Sequence, residues 1–161
     1  MQFRAVLPLL GSCVRHRPGC GRALILAAGL PALGGALPPP PDVSVTVTGL
    51  RSASGQILAC MTARPESFPG CDNDPAARRR VVPATETRLD FGSVPEGRYA
   101  IAVVHDENAN GRLDKRLMMP REGYGFSHDA PVMMGPPRFA SAAFLVGSAS
   151  EHLTIRMRYL F

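Results

Sequence analysis

Residues 42–50 read DVSVTVTGL. Val43, Val45 and Val47 alternate with Ser44, Thr46 and Thr48. A period of two with β-branched residues on one face and hydroxyls on the other is the pattern of a half-buried β-strand. Outward from this strand, Arg51–Gly55 (RSASG) is a turn, and Gln56–Ala63 (QILACMTA) returns as a second strand. The run Asp72–Pro83 (DNDPAARRRVVP) is polar and reads as a surface connection or short helix. Thr85–Phe91 alternates again, Val94–Gly97 (VPEG) is a turn, and Arg98–His105 (RYAIAVVH) is a central strand, apolar on both faces. Phe139–Val146 (FASAAFLV) and Leu153–Tyr159 (LTIRMRY) close the chain as strands. With six or seven short strands and no well-capped helix, the expected fold is all-β: a single antiparallel β-sandwich over residues 42–161.

Composition agrees. The chain has 161 residues, of which Gly and Pro contribute 16 each, an excess that suits short strands and many turns and argues against helical bundles. The formal charge of +5 invites a nucleic-acid reading until it is located. Residues 1–22 hold Arg4, Arg15, Arg17 and Arg22 and no acidic residue; the apolar block Ala23–Leu33 (ALILAAGLPAL) and the small residues Gly34-Gly35-Ala36 follow. A basic region, an apolar core and small residues before a cut describe a secretory signal peptide, so residues 1–36 are expected to be cleaved and residues 37–41 (LPPPP) to form a stiff Pro-rich leader. Cleavage would leave 14 basic against 13 acidic residues. The basic balance is then mostly the export tag, and no nucleic-acid partner is expected. No apolar run is long enough for a transmembrane segment in the mature chain, and the expected location is periplasmic or secreted.

Cys13 and Cys20 would leave with the signal, and Cys60 and Cys71 remain in an oxidising compartment. A disulfide is the economical reading, since neither a C-x-x-C spacing nor an adjacent His supports a redox or metal pair.

The stretch from Asp106 to Arg138 has little regular pattern, and so long a loop in a small domain asks for a functional reason. It opens with Asp106-Glu107-Asn108-Ala109-Asn110-Gly111-Arg112-Leu113-Asp114, which follows the first nine positions of a calcium loop. Side-chain oxygens of Asp106, Asn108 and Asn110, the Arg112 carbonyl and Asp114 are the candidate Ca2+ ligands. Leu117 stands where a helix–loop–helix site needs a bidentate Glu, and Glu122 supplies that carboxylate only if the chain folds back. The competing reading is an ion-free loop of Asx turns, which Asn, Asp and Gly make unaided.

Arg121, Glu122, Tyr124, Phe126 and Ser127 follow as a candidate ligand-facing surface, with packing across the sandwich end as the alternative. Met118, Met119, Met133 and Met134 suit an apolar lining or a thioether site, or split between core and surface. For catalysis the only plausible cluster is His105, Asp106, Asp114, Glu122, His128 and Asp129. It lacks the spacing of zinc hydrolases, Ser127 beside His128 is no triad, and His152 on an alternating strand faces solvent.

The segments YAIAVVHDENANGRLDKRLMMPREGYGFS (Tyr99–Ser127) and GPPRFASAAF (Gly135–Phe144), with the closing strand, resemble the bacterial domain of unknown function 2141 family. The resemblance rests on Gly97, Tyr99, Ala100, His105, Asp106, Asn108, Asn110, Gly111, Asp114, Arg121–Ser127 and Pro137–Phe139. It extends to the opening GLRSASGQI (Gly49–Ile57) and so covers residues 42–161; Ala109 stands where many relatives have Gly. It implies export and a sandwich of the transthyretin-like or immunoglobulin-like kind. By analogy with adhesin modules whose similar loops bind calcium, it also favours a structural ion. The chain thus reads as an exported, non-catalytic envelope module of uncharacterised role, with an unknown envelope or extracellular ligand. The alternative is a periplasmic metal-dependent hydrolase using His105, Asp106, Asp114 and His128.

Overall fold

The valines of the opening strand all point into one core. The computed structural model describes residues 39–161 apart from Leu117 and Met118; the expected signal peptide and the start of the Pro-rich leader lie outside the described residues. In chain order the strands are β1 (Asp42–Thr48), β2 (Gln56–Thr62), β3 (Arg78–Pro83), β4 (Arg88–Ser93), β5 (Gly97–Asp106), β6 (Lys115–Arg116), β7 (Met119–Pro120), β8 (Gly123–Phe126), β9 (Phe144–Val146) and β10 (Glu151–Arg156). A one-turn helix α1 (Phe139–Ala142) and short 3-10 turns at Pro65–Ser67 and Ser127–Asp129 complete the described elements.

Two sheets face each other. The smaller runs β10-β1-β4 and the larger β3-β2-β5-β8, with β9 pairing the first residues of β5 and β6 pairing β7 in a separate ribbon. Val43, Val45 and Val47 of β1, Leu89 and Phe91 of β4 and Ile155 of β10 meet Ile57, Ala59 and Met61 of β2, Ile101 and Val103 of β5 and Phe144 and Val146 of β9 in one buried cluster. Fully burying a side chain of this size stabilises by roughly 1.5–3 kcal/mol, so this cluster is the main source of stability. The intervening Ala100 and Ala102 of β5 join Tyr124, Phe126, Ala130 and Ala142 in a second cluster on the outer face of the larger sheet, roofed by Phe68, Val132 and Phe139. This second cluster is why β5 is apolar on both faces.

The structure corrects the expected layout in three places. The sandwich is not wholly antiparallel: β10 runs parallel to β1, from Val43 opposite Glu151 to Thr48 opposite Arg156. Arg78–Pro83 is neither a surface connection nor a helix but strand β3, antiparallel to β2. Its three arginines reach backbone carbonyls: Arg78 donates to Phe91, Arg80 to Asp90 and Arg79 to Cys71. Arg78 and Arg80 thereby bridge β3 to β4 across the open seam between the sheets. Phe139–Val146 is a helical turn followed by a strand, because Phe139 and Ala142, three residues apart, both pack into the outer cluster while Phe144 and Val146 enter the main core. At the other seam the chain beyond β10 exchanges a pair of backbone hydrogen bonds with β8, between Tyr124 and Arg158.

Cys60 of β2 and Cys71 are joined by a disulfide, 11 residues apart in sequence with Cα atoms 6.2 Å apart. Asp74 steadies the same loop, accepting from the Thr62 hydroxyl at 2.5 Å and the Ala76 N–H at 3.0 Å. The Thr62 hydrogen bond, with help from the Ala76 amide and Arg64, holds the Asp74 carboxyl below its ordinary value.

Candidate functional site

Strand β5 delivers Asp106 to the point where the chain leaves the sheet, fully buried at its base. From there its carboxylate collects the loop that follows. Oδ1 accepts the Asn110 N–H at 3.0 Å, and Oδ2 accepts the Gly111 N–H at 2.7 Å and the Gln56 carboxamide at 2.8 Å. Burial alone would raise this carboxyl, but the hydrogen bonds from Gln56, Gly111, Asn110 and Ala109 outweigh it and set the group below its ordinary value. Gly111 has φ +81°, the left-handed conformation that a residue without Cβ takes at no steric cost. Asn108 Oδ1 accepts the Asn110 N–H at 3.0 Å, and Asn110 Oδ1 accepts the Arg112 N–H at 3.1 Å, two successive Asx turns.

The loop is closed at its far end by carboxylates. Asp114 receives the Asn108 carboxamide at 2.8 Å and the Asn110 carboxamide at 3.0 Å, bonds that with Arg112 hold it below its ordinary value. The chain does fold back to bring in Glu122. Its buried carboxylate accepts the Glu107 N–H at 3.1 Å and the Asp114 N–H at 2.9 Å, tying the two ends of the loop together. The oxygens of the expected calcium ligands Asp106, Asn108, Asn110 and Asp114 thus all accept N–H groups of the loop itself or of Gln56. In this geometry Asn108 and Asn110 turn Nδ2 toward Asp114. Among the described residues no group of three His, Cys, Asp or Glu side chains is arranged to hold a metal ion.

Arg51, from the β1–β2 turn, clamps the same end of the sandwich. Its Nε lies 3.1 Å from both Glu107 carboxylate oxygens, and its guanidinium sits 4.6 Å from the centre of the Tyr159 ring. Hydrogen bonds from Arg51 and Ser52 hold Glu107 below its ordinary value against the opposing effect of burial. The Tyr159 hydroxyl accepts the Arg51 N–H at 3.2 Å and lies 2.7 Å from Nδ1 of the buried His105, whose Nε2 is 2.9 Å from the Ser54 carbonyl. A carbonyl only accepts, so Nε2 carries a proton toward Ser54. Burial raises the Tyr159 hydroxyl above its ordinary value. Both ring nitrogens of His105 are therefore engaged within the protein.

The remaining expected site residues divide. Of the five on the expected ligand-facing surface, Arg121 is exposed; Glu122, Tyr124, Phe126 and Ser127 are buried. Tyr124 and Phe126 belong to the outer cluster, and the Ser127 hydroxyl accepts the Ile101 N–H at 2.9 Å and donates to the Ala142 carbonyl at 2.5 Å. The reason is pairing: β8 lies against β5, Phe126 opposite Ala102 and Tyr124 opposite Val104, so its side chains face the roofed side of the sheet. His128 sits in the turn after β8, exposed, and its neighbour Asp129 accepts the Arg156 N–H at 3.2 Å. The turn packs near Ile101, well along β5 from His105, so His105, Asp106, Asp114 and His128 do not converge as the hydrolase alternative requires. Met119, Met133 and Met134 are exposed, and Met118 lies outside the described residues. His152 is exposed as expected, its ring nitrogens 2.9 Å from the Ser44 hydroxyl and 3.1 Å from that of Thr46. Sequence reading missed Arg51, Gln56 and Tyr159, which reach the site from distant turns and strands and carry no local motif.

Residues 45–154 match the family model described as "Uncharacterized protein conserved in bacteria (DUF2141)". No curated protein and no solved structure matches the chain. The matched span runs from within β1 to within β10, takes in the loop and its carboxylates and covers more than half of the chain, and so the chain belongs to the bacterial domain of unknown function 2141 family.

Proposed function

We propose that this protein is an exported, non-catalytic module of the bacterial cell envelope, a sandwich of the transthyretin-like or immunoglobulin-like class that offers the Asp106–Asp114 loop as a preshaped recognition surface for an envelope or extracellular ligand. One observation carries the reading: the carboxylates and His105 that a catalytic or metal-dependent reading needs are already engaged within the protein. Asp106, Asp114 and Glu122 accept N–H groups of the loop, and His105 is held between Tyr159 and Ser54. What the loop turns outward is Asn108 to Arg112, all exposed, with exposed Arg121 nearby. A rigid display of this kind lowers the ordering cost of binding.

Export is supported by the basic–apolar–small pattern of residues 1–36 and by the Cys60–Cys71 disulfide, which persists in oxidising compartments. Fractionation of cells expressing the full chain, with N-terminal sequencing of the product, tests it. The expected outcome is a periplasmic or secreted protein starting near Leu37; an uncleaved cytosolic product overturns the reading. A second reading, a calcium-stabilised loop, is favoured by the D-x-N-x-N-G-x-x-D spacing and requires the Asn108 and Asn110 carboxamides to turn their oxygens inward. Melting temperatures in millimolar calcium and in chelator decide between them: equal values support the ion-free loop, and a rise of several degrees with calcium supports the ion.

A further inference from the structure

At the opposite end of β5 from the loop, the outer face of the larger sheet carries a groove that the reading above does not use. It has a volume of about 490 Å³ and is lined by Pro65, Phe68, Arg98, Pro137, Arg138, Phe139 and Ala140. That size lies within the range of small-molecule sites. Phe68 and Phe139 meet edge to face, their ring centres 6.1 Å apart and planes at 85°, and both are only partly buried. Phe68 lies within the ring closed by the Cys60–Cys71 disulfide and is backed by Phe126 at 5.8 Å, so this wall is fixed from behind. The groove has charge of one sign only. Arg98 and Arg138 are exposed, neither side chain makes a hydrogen bond or ion pair among the described residues, and no acidic residue lines it.

We propose that this groove binds a small aromatic carboxylate, its ring against Phe68 and Phe139 and its carboxylate between the guanidinium groups of Arg98 and Arg138. Guanidinium matches a carboxylate with paired donors and also stacks on aromatic faces, which an ammonium does less well. The prolines and phenylalanines supply apolar walls that lose little side-chain freedom on contact. The site stands apart from the loop and does not depend on its role.

The chain has no tryptophan, so the fluorescence of 2-naphthoate, excited beyond the tyrosine band, reports binding to the full-length, disulfide-intact protein. The expected result is saturable binding, weakened at least fivefold by Arg98→Gln and by Arg138→Gln with melting temperature unchanged. Binding of the neutral 2-naphthylmethanol should be at least tenfold weaker than that of the acid, and Phe139→Ser should weaken both. Absence of saturable 2-naphthoate binding, equal affinity for acid and alcohol, or unchanged affinity in both arginine variants overturns the proposal.

Discussion

Replacing Glu122 by alanine removes one carboxylate that holds two N–H groups seven residues apart in the chain, Glu107 at 3.1 Å and Asp114 at 2.9 Å. Hydrogen bonds to a charged acceptor contribute about 1.5–3 kcal/mol each. Both donor residues are half-buried, so water recovers part of the loss, and the net cost is about 2–4 kcal/mol. Glu122→Gln keeps one acceptor oxygen and sets an NH2 against the second N–H, so it costs roughly half as much. The loop carries its own reporter: the Arg112 side chain is 78% exposed and Lys115 is exposed, so trypsin can cut once the loop opens. When reclosing outruns cleavage, cutting tracks the open population. An alanine variant should then be cut about 30- to 1000-fold faster at these two sites, and the glutamine variant at an intermediate rate. Cutting of Glu122→Ala at the wild-type rate would show that Glu122 does not hold the loop.

The disulfide closes a short ring, worth roughly 3 kcal/mol in the chain-entropy model, so Cys60→Ala/Cys71→Ala should lower the melting temperature by about 12 °C; two titratable thiols in unreduced, denatured wild-type protein would contradict the pairing. Ser127→Ala removes a hydroxyl that accepts the Ile101 N–H and donates to the Ala142 carbonyl in a fully buried setting, and urea denaturation should show a loss of about 2 kcal/mol. Asp74, Asp106, Glu107 and Asp114 all titrate below their ordinary values in the folded protein. A carboxyl lowered by folding contributes stability that is complete above its unfolded value and is lost as pH falls through the folded one. Melting temperature should therefore hold from pH 7 to about 5 and drop steeply below about 4; a protein equally stable at low pH would refute the assignment of these carboxylates as hydrogen-bonded anions.

Local signals in the sequence were enough for part of this architecture. The valines of β1 and the doubly apolar β5 announce themselves by period and composition, and D-x-N-x-N-G-x-x-D marks the loop because its turns are made within nine residues. The same locality explains the failures. Three adjacent arginines hide the period of β3, since Arg78 and Arg80 reach the carbonyls of Phe91 and Asp90 on another strand. In FASA the spacing of Phe139 and Ala142 fits a helical turn as well as a strand, and only the outer cluster decides between them. The parallel pairing of β10 with β1 and the Arg51–Glu107 clamp join residues 56 or more apart, beyond any local pattern. The segment around Glu122 carried the right residues for a site, but the pairing of β8 with β5 turned four of them inward to support the loop and the outer cluster.

The central claim is that the Asp106–Asp114 loop is ordered by its own carboxylates and carboxamides. Residue-resolved amide hydrogen exchange in calcium-free, chelator-containing buffer tests it most directly. The amides of Glu107, Asn110, Gly111 and Asp114, each donating to a side-chain oxygen, should be protected under those conditions; unprotected exchange at these four positions that slows only when calcium is added would contradict the account.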